Sequence, residues 1–515
     1  MIHHLYGTSD LIHDRVAGKS GSFRETVEAM KADPDKDRAQ VVIGLSRYNF
    51  FQTDRIIRFA CELLGREFPS DWQDYSVEPI GLVHSNFNRH MKRLSALLPG
   101  LGMEIEFIDR DLAVILRNIE RVAGPTNQGD LLRLLGILSE QVFTGPKRLL
   151  IDPLYACNLD CAYCNNFSEP RKDLTRRQME DDPYYLMRDR ILDFSIFEST
   201  LRQAKAMGVE AVSLVGGGEP TLHPRFLDML ELATSLGFAV DFSTNGLRLD
   251  EAAAKRIVAA GPDSVTFSIS AASNEVYGLI HPRNADDAFD LVCKNAAGLA
   301  AAKKAAHSAK PTLIALHVIN RLNYNEAVRM VEQAADMGFD EAWLQMVHVR
   351  EFCQDLAVPG GELEDLRASI KAAQARAAEL RIGFSDYIRF QADRVGPDGS
   401  WSGGDFLKDG CAVGWTFSIL TCAGDVNFCC GWKKVDSVEG GSFDHVWNSE
   451  AYLRLRRAAR HMGKAPNMKL ANGKMLFDEF CLSCDNHNFN REVFDLMESY
   501  DLLRFLDPVP PPDLA

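Results

Sequence analysis

The chain has 515 residues, with 57 Lys and Arg against 72 Asp and Glu, a formal charge of −15, and 46% hydrophobic against 25% charged residues. This composition excludes disorder as the main state and supplies core enough for about two to four domains. The negative balance, with no basic run to override it, repels phosphate backbones and anionic surfaces, so no nucleic-acid partner is expected.

The start, Met1-Ile-His-His-Leu5, lacks the basic head and apolar core of a secretory signal. No apolar run approaches the ~18 residues that a membrane span requires. The expectation is a cytoplasmic protein with no membrane partner, in which 12 cysteines serve as buried thiols, nucleophiles or metal ligands rather than disulfides. His3 and His4, beside a free terminus, read as solvated. Residues 1–145 read as a small α/β domain of unknown role, with buried strands at Val41–Leu45 and Ile80–Val83, an alternating strand at Met103–Ile108 and helical stretches between. They carry no phosphate-binding glycine pattern. Cys61, Cys293 and Cys353 stand alone in the chain and read as small buried hydrophobes.

Arg148–Asp152 reads as an apolar strand, and the loop after it is Cys157-Asn-Leu-Asp-Cys161-Ala-Tyr-Cys164. Three thiolates on one short loop can hold three corners of an iron–sulfur cube and leave the fourth iron open for chemistry. The alternative, a closed zinc site, needs a fourth ligand, and the next twenty residues contain no Cys or His. A helix over Phe194–Met207 leads to a buried strand, Glu210–Val215, ending in Gly216-Gly-Gly-Glu-Pro220, where glycines let backbone approach a ligand and a carboxylate can accept from an ammonium.

Strands at Ala239–Ser243, Ser264–Ser270, Thr312–Ile319 and Ala342–Val347 follow, separated by helices at Phe226–Leu236, Asp250–Ala260, Asp286–Ala302 and Asn325–Met337. Six strands alternating with helices predict a parallel sheet curled into a partial (β/α)6 TIM-like barrel, its active site at the C-terminal strand ends. Asn320 and Asn323 read as loop residues. Cys411 to Cys430 reads as a hairpin about Ala423-Gly424-Asp425, containing Cys422, Cys429 and Cys430, and Cys481-Leu-Ser-Cys484 comes later. Alternation along the hairpin puts Cys429 and Cys430 on opposite faces.

The CxxxCxxC spacing, with Tyr163 directly before the third cysteine, resembles the signature of radical S-adenosylmethionine (radical SAM) enzymes. The resemblance implies that Cys157, Cys161 and Cys164 hold a [4Fe–4S] cluster whose open iron is chelated by S-adenosylmethionine, which is cleaved to a 5′-deoxyadenosyl radical. It implies that Gly217, Gly218, Glu219 and Pro220 hold the methionine amino group. Ser243, Thr244 and Asn245 resemble the third-strand TNG element, and Ser268 and Ser270 the fourth-strand contacts to ribose and carboxylate. The chain departs from its relatives in reading Ser268-Ile-Ser-Ala271 where an aspartate often stands.

The C-terminal cysteines resemble the SPASM or twitch extension. Cys411, Cys429, Cys481 and Cys484 would ligate one auxiliary [4Fe–4S] cluster, and no cysteine follows Cys484 to ligate another. A structural zinc site of the same four thiolates is the alternative, Cys430 could replace Cys429, and Cys422 or Cys430 could donate hydrogen to a substrate radical. The division expected is 1–145, 146–395 for the barrel and 396–515 for the cysteine-rich domain. The function implied is hydrogen abstraction from a small molecule or sugar in a biosynthetic pathway, fed by a reducing donor such as flavodoxin or ferredoxin. Modification of a ribosomally made peptide is the alternative, and a non-catalytic iron–sulfur or zinc protein the alternative of another class.

Overall fold

The computed structural model describes residues 1–70, 72, 84–122, 128–169, 190–284, 287–430, 433–470, 475–507, 509 and 510. The N-terminal part holds a three-stranded parallel sheet, in the order β1 (Ile2–Leu5), β2 (Gln40–Leu45), β3 (Met103–Phe107). β2 is central and buried from Val41 onward, as a strand covered on both faces must be. The strand expected at Ile80–Val83 lies outside the described residues.

His3 corrects the reading of a solvated terminus. It is buried on β1 with Nε2 2.8 Å from Asp33 Oδ2, while His4 on the opposite face is exposed. Pairing with β2, more than thirty residues on, draws the first residues into the sheet, and four residues carry too little pattern to announce that contact.

Among the described residues the main sheet has ten strands. Its centre is the expected set of six parallel neighbours in chain order: β4 (Arg148–Ile151), β5 (Ala211–Leu214), β6 (Ala239–Thr244), β7 (Ser264–Ser268), β8 (Thr312–Ile319) and β9 (Glu341–Met346). The helices between them include Phe194–Ala206, Phe226–Ser235, Glu251–Ala260, Asn274–Ile280, Ala288–Ala305 and Ala327–Asp336. Local chemistry sets several of these boundaries. Asp193 and Asp250 cap helix starts by accepting from Ser195 N and Ala253 N, and Gly261 ends its helix in the left-handed region at φ 67°.

The cysteine-rich segment continues this sheet. β11 (Phe417–Leu420) pairs parallel with β4, followed by antiparallel β12 (Asp425–Asn427) and β13 (Lys434–Ser437), while β10 (Gly383–Phe384) extends the far edge beyond β9. Gly424, at φ 78°, makes the hairpin turn. β11 is buried throughout, because β4 and β12 flank it. Cys429 and Cys430 lie just past β12, and Cys411 precedes a single helical turn, Val413–Thr416, where the hairpin pattern read as strand.

A second core joins the two ends of the chain. Trp415, Val493, Met497 and Phe505 pack with Leu5, Ile43, Leu116 and Leu135, and Trp415 Nε1 donates to Gln141 O at 2.6 Å. Beside it, buried Glu140 accepts from Arg15 Nε and Nη2, both at 2.9 Å, and stands 2.8 Å from His461 Nε2 and 3.6 Å from Arg457. Burial opposes the charge of Glu140, but His461, Arg15 and Arg457 prevail and hold its carboxyl down to about 2. Among the described residues no helix is long and apolar enough to cross a membrane.

Candidate active site

A cavity of about 390 Å³ opens at the C-terminal ends of the barrel strands. Cys157, Cys161 and Cys164 line it from the loop after β4. Backbone amides donate to two of these sulfurs, Leu159 N to Cys157 at 3.4 Å and Phe167 N to Cys164 at 3.3 Å. Burial first, then Cys164, pushes the Cys157 thiol up to about 12, and burial and both neighbouring cysteines raise Cys161 well above its ordinary value. Cys157 and Cys161, which burial and the neighbouring sulfurs keep from ionising, form with Cys164 a donor set that a cationic iron cage would stabilise as thiolates.

The three glycines after β5 are required by chain packing. A Cβ on Gly216 would lie 1.9 Å from Asp152 Oδ1, one on Gly217 2.0 Å from the Tyr155 ring, and one on Gly218 2.2 Å from Ala156 O. The expected close approach is therefore made first to the cysteine loop, which these glycines allow to lie against the strand end. Glu219 N donates to Ala156 O at 2.9 Å and Gly217 O accepts from Asn166 Nδ2 at 2.6 Å, which pins the loop on both sides of the cysteines.

The Glu219 side chain is 3% exposed. Its Oε1 accepts from Thr244 Oγ1 at 2.7 Å and Thr221 N at 3.1 Å, and its Oε2 from Asn245 N at 2.7 Å. Burial raises its carboxyl despite these donors, and among the described residues no Lys, Arg or His forms an ion pair with it. A buried carboxylate supplied with hydrogen bonds but not with a cation is a complement for an ammonium group. Asn245 also donates to Asn158 Oδ1 at 2.7 Å, tying the TNG turn to the cysteine loop.

Pro220, Ser243, Thr244, Asn245, Ser268 and Tyr163 all face the cavity. Ser270 stands behind the wall, fully buried at φ 59°, with its Oγ 2.9 Å from Tyr163 OH and 3.1 Å from Val318 N. Asn323 Nδ2 donates to Ser270 O at 2.7 Å, and its Oδ1 accepts from Asn320 N at 2.8 Å. The two asparagines thus hold the corner that aims Tyr163.

Cys411, Cys429, Cys481 and Cys484 stand close enough to influence one another. Burial is the largest influence on Cys411, Cys481 and Cys484, and each is raised further by Cys429; Cys481 reaches about 12. Lys433, 3% exposed in its side chain, lies 2.8 Å from Asp478, and although burial opposes its charge, Cys429, Asp478 and Cys481 raise it. Among the described residues, no three His, Cys, Asp or Glu side chains converge on a single ion, whereas in a cage each thiolate takes its own iron. Cys430 lines a second cavity of about 210 Å³ that shares Asn166, Gly217, His348 and Asp485 with the first, and it too stands close enough to raise Cys484. Cys422 is packed at 4% exposure and lines neither. Cys61 and Cys353 are buried, and Cys293 is half-buried on its helix.

Several residues at the site carry no motif and escaped the sequence reading. Gln345 Nε2 donates to Asp485 Oδ1 at 3.1 Å, and His348 Nε2 lies 3.1 Å from the same carboxylate, so the end of β9 clasps the turn after Cys484 across the barrel mouth. Position offered the one usable signal: Asp485 directly follows a cysteine, and Gln345 and His348 end a strand. His281 and Asn166 were missed likewise.

Comparison with known proteins agrees with this geometry. Residues 151–352 match the Radical SAM superfamily. Those residues form a domain of that superfamily. This radical SAM enzyme has as cofactors a [4Fe–4S] cluster that binds S-adenosylmethionine and an auxiliary cluster. Its relatives include mycofactocin maturase MftC of Mycobacterium tuberculosis, 26% identical over 344 residues that cover 63% of this chain and 76% of the relative. PqqA peptide cyclase of Streptomyces rochei is 26% identical over 299 residues, 57% of this chain and 71% of the relative. A probable GTP 3′,8-cyclase of Saccharolobus solfataricus is 29% identical over 202 residues, 39% of this chain and 56% of the relative.

Proposed function

We propose that this radical SAM enzyme modifies a peptide. The observation that carries this reading is the extent of similarity. The likeness to the GTP cyclase is no longer than the superfamily match itself, whereas the PqqA peptide cyclase aligns over 299 residues and MftC over 344, stretches that reach beyond the matched domain. The expected small-molecule or sugar substrate gives way to the peptide for this reason. The two joined cavities support it, since together they offer a cleft between barrel mouth and cysteine-rich segment rather than a closed pocket.

In this reading Cys157, Cys161 and Cys164 hold the first cluster, and Cys411, Cys429, Cys481 and Cys484 the auxiliary one. When bound, the first cluster supplies the electron that cleaves S-adenosylmethionine to the 5′-deoxyadenosyl radical, the hydrogen abstractor. Glu219 accepts the methionine ammonium, Tyr163, Ser243, Thr244, Asn245 and Ser268 line the cofactor, and Ser270 positions Tyr163. Cys430, facing the cleft, gives its thiol hydrogen to the substrate radical; the thiyl left behind takes an electron and a proton by way of the reducing donor, a flavodoxin or ferredoxin. Residues 1–145, 146–395 and 396–515 are the three parts, the first clamped to the last through Glu140.

The test is anaerobic incubation of reduced, iron-reconstituted enzyme with S-adenosylmethionine and short peptides encoded beside its gene. The expected result is 5′-deoxyadenosine together with a mass change on one peptide. Turnover of a nucleotide or sugar with no peptide changed would overturn the substrate assignment, and no 5′-deoxyadenosine at all would overturn the cluster assignment.

A further inference from the structure

The end of the helix Asn274–Ile280 and the turn after it grip the cysteine loop at three residues within four positions. Ala162 N donates to Ile280 O at 2.8 Å, Arg283 N donates to Asp160 Oδ1 at 2.9 Å, and between them His281 Nδ1 lies 3.1 Å from Cys161 Sγ. His281 is 1% exposed, and its ring packs 4.3 Å from that of Tyr277. The backbone contacts on either side, the tilted ring contact with Tyr277 and the burial hold the imidazole against the sulfur.

The three sulfurs of the loop thus differ in what faces them. Cys157 and Cys164 accept from main-chain amides, which every sequence supplies, whereas Cys161 also meets a side-chain nitrogen, which this sequence chose. A metal-bound thiolate carries only lone pairs, so the nitrogen facing it is favourable only as N–H. Hydrogen bonds to cluster sulfurs offset the negative charge added on reduction and so raise the potential. Resting on the reading of Cys161 as a ligand, we propose that His281 is a positioning residue that donates Nδ1–H to the Cys161 thiolate and thereby raises the reduction potential of the cluster that binds S-adenosylmethionine. The inner end of the cavity would then be tuned from the β7 side of the barrel, by a residue with no part in holding iron.

The experiment is a redox titration of the reconstituted full-length enzyme followed by electron paramagnetic resonance, comparing wild type with His281→Phe and His281→Asn. The signal that changes on adding S-adenosylmethionine marks the cluster of interest. Phe, which keeps the ring and loses the donor, is expected to shift the equilibrium about tenfold toward the oxidised form, a fall of about 59 mV for one electron. Asn, whose amide can place an N–H near the position of Nδ1, is expected to stay close to wild type. An unchanged potential in His281→Phe overturns the proposal. So does a His281→Asn protein that matches His281→Phe, including the case in which both lose the cluster, since the role would then be packing. A wild type with no signal responsive to S-adenosylmethionine would instead overturn the assignment of the site itself.

Discussion

Glu219 Oε2 accepts from Asn245 N at 2.7 Å, joining the ends of two neighbouring barrel strands through one buried carboxylate. The same group is the site's complement to a cationic ligand. Glu219→Gln places an amide where two donors from the β6 end converge, so part of the junction is lost along with the charge. Affinity for S-adenosylmethionine, measured by equilibrium binding, is expected to fall at least tenfold, about 1.4 kcal/mol or more, with iron content retained.

Gly217 tests the packing account. Alanine there drives a methyl into the Tyr155 ring, 2.0 Å away, and overpacking of this kind costs about 1–3 kcal/mol. Thermal unfolding should show the loss for Gly217→Ala, and the double variant with Tyr155→Leu should recover part of it. Gly218→Ala meets backbone, Ala156 O at 2.2 Å, which cannot rotate away, so no neighbouring side-chain change should rescue it.

The two cysteine groups should separate in iron content. Cys161→Ala is expected to lose about four of eight irons and all cleavage of S-adenosylmethionine, while Cys484→Ala loses about four and keeps some cleavage. Iron assay and chromatography of 5′-deoxyadenosine decide it; full cleavage by Cys161→Ala would refute the assignment.

Cys430 and Cys422 differ in what they face, and deuterium labelling reads the difference. In deuterated buffer, substrate deuterium should appear with wild type and Cys422→Ala but not with Cys430→Ala, which still makes 5′-deoxyadenosine. Label retained in Cys430→Ala would assign the donor elsewhere.

Acid should loosen the clamp between the chain's two ends. The Glu140 carboxyl is held down to about 2, below its ordinary 4.5, so its contribution, about 3 kcal/mol by linkage, is present above pH 4.5 and lost as pH falls toward 2. Glu140→Gln should lower stability at pH 7 and flatten the pH dependence of denaturant unfolding between those limits. An unchanged slope would show that the charge is not what holds the ends together.

The sequence alone determined the barrel, because each of its six strands is a short buried run bounded by helices with their own caps, as at Asp250 and Gly261. It determined the first cysteine loop too, since three cysteines within eight residues need no folding to be neighbours. What the tertiary structure decided are the contacts between distant residues. The glycines after β5 serve the cysteine loop before any ligand, Ser270 stands behind Tyr163 rather than in the cavity, and Cys430 lines the second cavity while Cys422 lines neither. His281, Asp485 and the burial of His3 follow the same logic. Local periodicity and spacing report what a segment becomes. Which side chain meets which sulfur or carboxylate across a hundred residues depends on strand order and register, and those exist only once the chain has packed.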